Sequence, residues 1–145
     1  MPRPRTIRLP EPLEKELARE FARRGVKEWS NGVVDLLQEA VRTRRVPGIS
    51  FVDSITGRRP VIAGTGLDVW EVIATSKIVG HEEKLRQAYH WLTPAQIRVA
   101  LTYYRFYPEE IDRRIALDEA WTPERVREEF PVAALGPAIT GKANE

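Results

Sequence analysis

The sequence contains no cysteine, and that single absence removes disulfides, thiolate zinc sites and cysteine nucleophiles together. Histidine is scarce too: His81 and His90 are the only two, with no acidic residues at ligand-like spacing around them, so no metal site is expected. No apolar run is long enough to span a bilayer, and the basic, proline-punctuated N-terminus lacks the apolar core of a signal peptide. A cytoplasmic protein is expected. Asp53, Asp68, Glu71 and Asp112 are scattered carboxylates for which caps or solvent are sufficient explanations. No acid, base and nucleophile set can be assembled from them, so the chain is read as a non-enzyme that takes no cofactor.

What is present suits a small folded protein. The chain has 145 residues, 42% of them hydrophobic, enough for one domain or two small ones, each with a core. The net charge is only +2, yet the basic residues cluster at Arg3, Arg5, Arg8 and again at Arg42, Arg44, Arg45. Local clustering of this kind points to a polyanionic partner.

From Arg5 to Leu9 basic or polar residues alternate with apolar ones, the pattern of a short half-buried strand with Ile7 and Leu9 facing a core and Thr6 and Arg8 facing out. Pro12 suits the first turn of a helix, where its missing donor has no partner anyway. Leu13, Leu17, Ala18 and Phe21 fall on one face of that helix, and Gly25 closes it. Ser30 is a good N-cap for a second helix with Val33, Val34, Leu37, Ala40 and Val41 on its apolar face. One strand and two amphipathic helices leave both a sheet edge and an apolar face uncovered, and a lone strand is not stable in water. A two-fold partner contributing a second antiparallel strand and two more helices solves both problems, so a homodimer is expected.

The segment RTIRLPEPLEKELAREFARRG, followed by SNGVVDLLQEAV, resembles the ribbon-helix-helix repressors. In that family the paired strands enter the major groove and outward strand residues read base edges. The resemblance implies this role for Thr6 and Arg8, since Arg can grip guanine through two donors and Thr can bond or contact a methyl. Arg3 and Arg5 flank them as further DNA contacts. Ser30 and Asn31, at the start of the second helix, would aim backbone amides at phosphate. The inter-helix turn, with Lys27, Glu28 and Trp29, is longer than the family's usual one.

Pro47 and Gly48 break the second helix after its charged last turn and mark a domain boundary. The division expected is 1–46, a DNA-binding and dimerisation module; 47–118, a second domain; and 119–145, a C-terminal helix and apolar arm. ISFVD and the run from Arg58 to Ile62 read as a hairpin, with Pro60 restricting the return strand to an edge. Gly64, Thr65 and Gly66 then turn the chain into a helix from Asp68 to Val79, with Asp68 and Glu71 as a capping pair. The GTG turn lacks the lysine and spacing of a P-loop and is read as structural. A short helix covers Glu82 to Tyr89, with Leu85, Ala88 and Tyr89 inward. Thr93, Pro94 and Gln96 form a second capping signature. The helix they open should bury Ile97, Ala100, Leu101 and Tyr104, leave Tyr103 and Thr102 outside, and carry Arg98 and Arg105 on one flank.

GRRPVIAGTGLDVWEVI, then Gly80, then AYHWLTPAQIRVALTYYRFYPEEID, together resemble a bacterial domain family of unknown function found in VapB-like antitoxins. The likeness runs from about Ile49 to Asp112. Gly66 stands where that family usually has arginine, and its glycine before the proline strand is displaced to Gly57. The resemblance implies a β-hairpin joined to a homeodomain-like three-helix bundle, and a PIN-like ribonuclease toxin as partner. Arg98, Thr102 and Arg105 are candidates for a toxin contact or a second DNA contact. A protein-binding role is preferred for them, because the N-terminal ribbon already reads DNA.

Pro108 starts a further helix through Asp118 that buries Ile111 and Ile115, and Thr122 and Pro123 cap a last one from about Glu124 to Phe130. Beyond it PVAALGPAIT is apolar and broken by proline and glycine. Trp121, Phe130, Leu135 and Ile139 are candidates for a partner-binding arm, with a frayed terminus as the plain alternative. The fold class expected is mainly α: a dimeric ribbon-helix-helix module, then a hairpin, a homeodomain-like three-helix bundle and C-terminal helices. The function expected is that of an antitoxin that represses its own promoter as a homodimer and neutralises a PIN-like toxin. The alternative is a stand-alone transcriptional regulator, and a short PIN-like gene beside this one would discriminate the two.

Overall fold

The computed structural model describes residues 2–54, 57–122, 124–125 and 128. Among them six helices and one hairpin follow in the order α1 (Glu11–Arg24), α2 (Trp29–Arg45), β1 (Ile49–Ser54), β2 (Gly57–Ile62), α3 (Val69–Val79), α4 (Glu82–Ala88), α5 (Pro94–Phe106) and α6 (Pro108–Ala120). The protein is mainly helical with a two-stranded antiparallel hairpin. It falls into two compact units, Met1–Asp68 and Val69–Glu145.

In the first unit α1 carries Pro12 in its opening turn and ends at Gly25, whose φ of 68° is the left-handed conformation that glycine adopts without penalty. The Gly25 amide reaches the Ala22 carbonyl at 3.3 Å and the Val26 amide reaches that of Phe21 at 2.9 Å, which closes the helix. α2 begins at Trp29, one residue before the expected cap. Its N-cap is Glu28, in extended conformation and without a side-chain cap bond, and the first intrahelical bond runs from the Gly32 amide to the Glu28 carbonyl at 3.1 Å. Ser30 therefore lies inside the first turn.

Residues 2–10 carry no regular structure in the single chain, so the strand expected over Arg5–Leu9 is not formed there. A strand needs a second strand to take its amides and carbonyls, and among the described residues the one sheet is the β1–β2 hairpin. That hairpin pairs Ile49 with Ile62, Phe51 with Pro60 and Asp53 with Arg58, and buries Ile49, Val61 and Ile62. It is tied to both helices of the unit by ion pairs. Arg58 donates through Nε and Nη2 to the two carboxylate oxygens of Glu39 on α2. Asp53 lies 3.1 Å from Arg58 and 3.4 Å from Arg24 at the end of α1.

After β2 the chain turns back on itself. Gly64 and Gly66 have φ of 79° and 68°, the Ile62 amide bonds the Leu67 carbonyl at 2.9 Å, and the Thr65 hydroxyl donates to the Ile62 carbonyl at 2.8 Å. This is the structural turn the sequence suggests. The Asp68 carboxylate, read there as a helix cap, is buried and accepts from Arg59 at 2.8 Å.

The second unit centres on α3, whose Val69, Val72 and Ile73 are buried and which packs against α4, α5 and α6. α5 opens with the expected capping box: the Gln96 amide donates to Thr93 Oγ1 at 3.1 Å and the Thr93 amide donates to Gln96 Oε1 at 2.9 Å. Its buried face is Ile97, Ala100 and Tyr103, which corrects the expected roles of the two tyrosines. Spacing of three and three keeps Tyr103 in line with Ile97 and Ala100, and its hydroxyl has a partner inside, Glu110 Oε1 at 2.9 Å. Tyr104 instead donates to Asp112 at 2.8 Å on the surface. In α4 Leu85 is buried but Ala88 is exposed, and α6 buries Ile111 and Ile115 as expected.

Candidate nucleic-acid interface

The first unit has too few buried side chains for two amphipathic helices. Phe21 is the one buried residue of α1 and Gly32 the one buried residue of α2. Val34, Leu37 and Val41 are 50%, 57% and 54% exposed, and their spacing of three and four puts them on one side of α2. Leu13 and Ile7, at 40% and 64%, are exposed in the same unit. Proteins expose single apolar side chains freely, but a stripe along one helix is an apolar surface larger than scattered exposure explains.

The basic arm precedes α1 in the same unit. Arg3, Arg5, Thr6 and Arg8 are all exposed in the segment that precedes α1. None of the three arginines meets an acidic partner among the described residues. Ser30 and Asn31 are exposed in the first turn of α2, where amides precede the first intrahelical bond and are free to meet an anion. Sequence reasoning missed one feature here: the Asn31 side-chain amide bonds the Glu28 carboxylate at 3.3 Å, so a negative charge occupies the very turn expected to approach phosphate.

The remaining candidates belong to the second unit. Arg98 and Arg105 are exposed on α5 and Thr102 between them is half-buried. Trp121 is 44% exposed at the end of α6, whereas Phe130, Leu135 and Ile139 lie outside the described residues. Among the described residues no three His, Asp or Glu side chains converge on a point that could hold a metal ion, and no helix is long and apolar enough to cross a membrane.

Two charge clusters were not legible in the sequence. In the first unit partial burial pushes the Asp53 carboxyl up, but the bonds and charges of Arg58 and Arg24 outweigh this and hold it below its ordinary value. In the second, Asp112 accepts from Lys77 Nζ at 2.8 Å as well as from Tyr104. The Lys77 bond first, then that of Tyr104, holds the Asp112 carboxyl below its ordinary value, and the same Asp112 bond raises Lys77. These partners sit 35 and 8 residues apart in the chain, beyond any local periodicity.

Residues 49–104 match a family described as a protein of unknown function, DUF433. The stretch GRRPVIAGTGLDVWEVI, expected to belong to such a family, falls within the match, which runs from β1 into α5. No curated protein and no solved structure matches the chain.

Proposed function

We propose that this chain is a DNA-binding antitoxin that represses its own promoter as a homodimer and silences a PIN-like ribonuclease toxin. Residues Arg5–Leu9 pair antiparallel with the same residues of a second copy and form a ribbon. Thr6 and Arg8 face base edges in the major groove, Arg3 and Arg5 meet phosphates, and the first turn of α2 supplies Ser30 and Asn31 to the backbone. The ribbon-helix-helix arrangement is complete only in that dimer.

The observation that carries this reading is the exposed stripe of Val34, Leu37 and Val41 on α2 in a unit whose basic arm has no strand partner. Each such side chain is already about half covered in the single chain, so covering the rest stabilises a dimer by roughly 1 kcal/mol, and both copies contribute. The toxin reading rests on the resemblance of the second segment to VapB-like antitoxins. In this reading the second unit, through its helices or its C-terminal arm, occludes the toxin's acidic metal site.

Two experiments test the two halves. In gel-shift titration on the protein's own promoter at fixed salt, Arg8→Ala weakens binding by about 1–3 kcal/mol and leaves the dimer intact; unchanged affinity removes the ribbon. Co-expression with the neighbouring open reading frame yields a co-purified complex with suppressed ribonuclease activity. Unchanged nuclease activity on mixing removes the toxin partner and leaves a stand-alone regulator.

A further inference from the structure

From the exposed side of α6 we infer that the ridge of Arg113, Leu117 and Trp121 is a contact surface for a second copy of this chain, in which two α6 helices cross antiparallel about Leu117. It goes beyond the reading above, whose dimer is made by residues of the first unit, and does not need the ribbon. The ridge also lies outside the family match, which ends at residue 104, whereas α6 begins at Pro108.

Three observations carry it. First, the rotation of α6 is fixed and its second half is bare. Ile111 and Ile115 are buried, Arg114 lies over the Trp70 ring of α3 at 5.5 Å, and every residue from Ala116 to Trp121 is exposed. Leu117 and Trp121 are 52% and 44% exposed. At 100° per residue Arg113, Leu117 and Trp121 form one ridge with steps of four residues, about 200° to 280° round from Ile111.

Second, the ridge is its own complement. A two-fold contact sets residue i of one copy against residue j of the other and j against i, so with Leu117 on the axis, Arg113 of each copy stands opposite Trp121 of the other. The centre is then apolar and each end is a guanidinium on an indole, the best of the aromatic rings for a cation. This unit already uses that chemistry, with Arg114 on Trp70 and Arg125 on Trp121 at 5.3 Å. An indole has two faces, and Arg125 lies over one.

Third, the charges and sizes suit a close approach. Arg113 meets no acidic side chain among the described residues, and Asp118 and Glu119 lie about 100° and 160° round the helix from Leu117, so no carboxylate enters the contact. Ala116 and Ala120 flank the ridge, and small side chains there let two helices pack about 8–10 Å apart. A single helix pair covers less than the roughly 1,200 Å² of a stable interface. The contact therefore joins chains weakly by itself and adds to any other interface they share.

The test traps it in the full-length chain, which has no native cysteine. On oxidation with diamide, Leu117→Cys should crosslink to its own copy, because a residue on a two-fold axis meets itself within disulfide reach. Ala116→Cys, about 100° round the helix, faces sideways and should stay uncrosslinked. Trp121→Leu added to Leu117→Cys keeps an apolar side chain but removes the indole, and with two such pairs lost it should slow crosslinking about ten-fold, with circular dichroism showing that the fold is unchanged. Ile7→Asp, which breaks the ribbon, should still leave Leu117→Cys crosslinking ahead of Ala116→Cys. Equal crosslinking at positions 116 and 117 overturns the inference, whether another protein or only solvent covers the ridge, and an undiminished rate with Trp121→Leu overturns the pairing of Arg113 with Trp121 on which it rests. Crosslinking through Ile7→Cys without crosslinking through Leu117→Cys removes this contact and leaves the ribbon standing; the converse removes the ribbon alone.

Discussion

Gly32 of α2 lies against the ring of Phe21 from α1: a Cβ at Gly32 would stand 2.7 Å from Phe21 Cζ. No real Cβ tolerates that separation, and the ring is 5% exposed, so it cannot swing into solvent. Ala in a helix interior gains about 1 kcal/mol over Gly, while overpacking a filled core costs about 1–3 kcal/mol. Gly32→Ala is therefore expected to destabilise the protein by about 1 kcal/mol in urea unfolding. Phe21→Leu combined with Gly32→Ala should recover part of that loss, and strict additivity would contradict the contact.

The hairpin and the N-terminal helices should unfold together. Val46 and Ile49 are buried, the Ala63 amide bonds the Gly48 carbonyl at 2.8 Å, and Arg58 reaches Glu39 and Asp53. Arg58→Ala leaves Glu39, whose side chain is 15% exposed, without that partner. After allowance for the solvent still reaching Arg58, the cost is about 1–2 kcal/mol. A fragment ending at residue 46 should give no cooperative transition, whereas one ending at residue 68 should.

The Lys77–Asp112 pair should add a small contribution to the second unit's stability across the range between the ordinary carboxylate and lysine values, and that contribution fades outside it. Asp112 is depressed below its ordinary 3.8 by Lys77 and then Tyr104, so its contribution is complete above that value and fades as pH falls through the lower folded one. Lys77 is raised above its ordinary 10.5, chiefly by Asp112, so its contribution is complete below that value and fades as pH rises through the higher folded one. Asp112→Asn should slightly reduce the slope of both limbs of a plot of melting temperature against pH. A variant that keeps the wild-type curve would separate the pair from stability.

The capping box of α5 was legible in the sequence. Thr93→Ala should cost about 1 kcal/mol, because the reciprocal bonds of Thr93 and Gln96 are both formed, and thermal melting of the full chain checks it. Local signals of this kind, together with the Gly25 stop, the hairpin and the GTG turn, were readable because each is decided by residues within a few positions. The side of α5 that Tyr103 takes was not, because two adjacent tyrosines fit the periodicity almost equally and the choice falls to Glu110 on the next helix. The start of α2 was misread by two residues: Ser30 has the chemistry of a cap, yet the cap is Glu28 and the helix begins at Trp29. The candidate DNA residues were legible as exposed basic positions. Their pairing state was not, since Arg24, Arg58 and Arg59 look the same in sequence as Arg98 and Arg105 but are drawn into ion pairs by residues distant in the chain or across a turn.

The ribbon dimer is tested most directly by self-crosslinking at position 7. The chain has no cysteine, so Ile7→Cys introduces the only thiol, and in an antiparallel pair centred on Arg5–Leu9 that residue meets its own copy within disulfide reach. Mild oxidation of Ile7→Cys should give a covalent dimer in high yield, while the exposed control Ala116→Cys on α6 stays monomeric on a denaturing gel. Equal, low crosslinking at both positions would contradict the ribbon and with it the proposed mode of DNA binding.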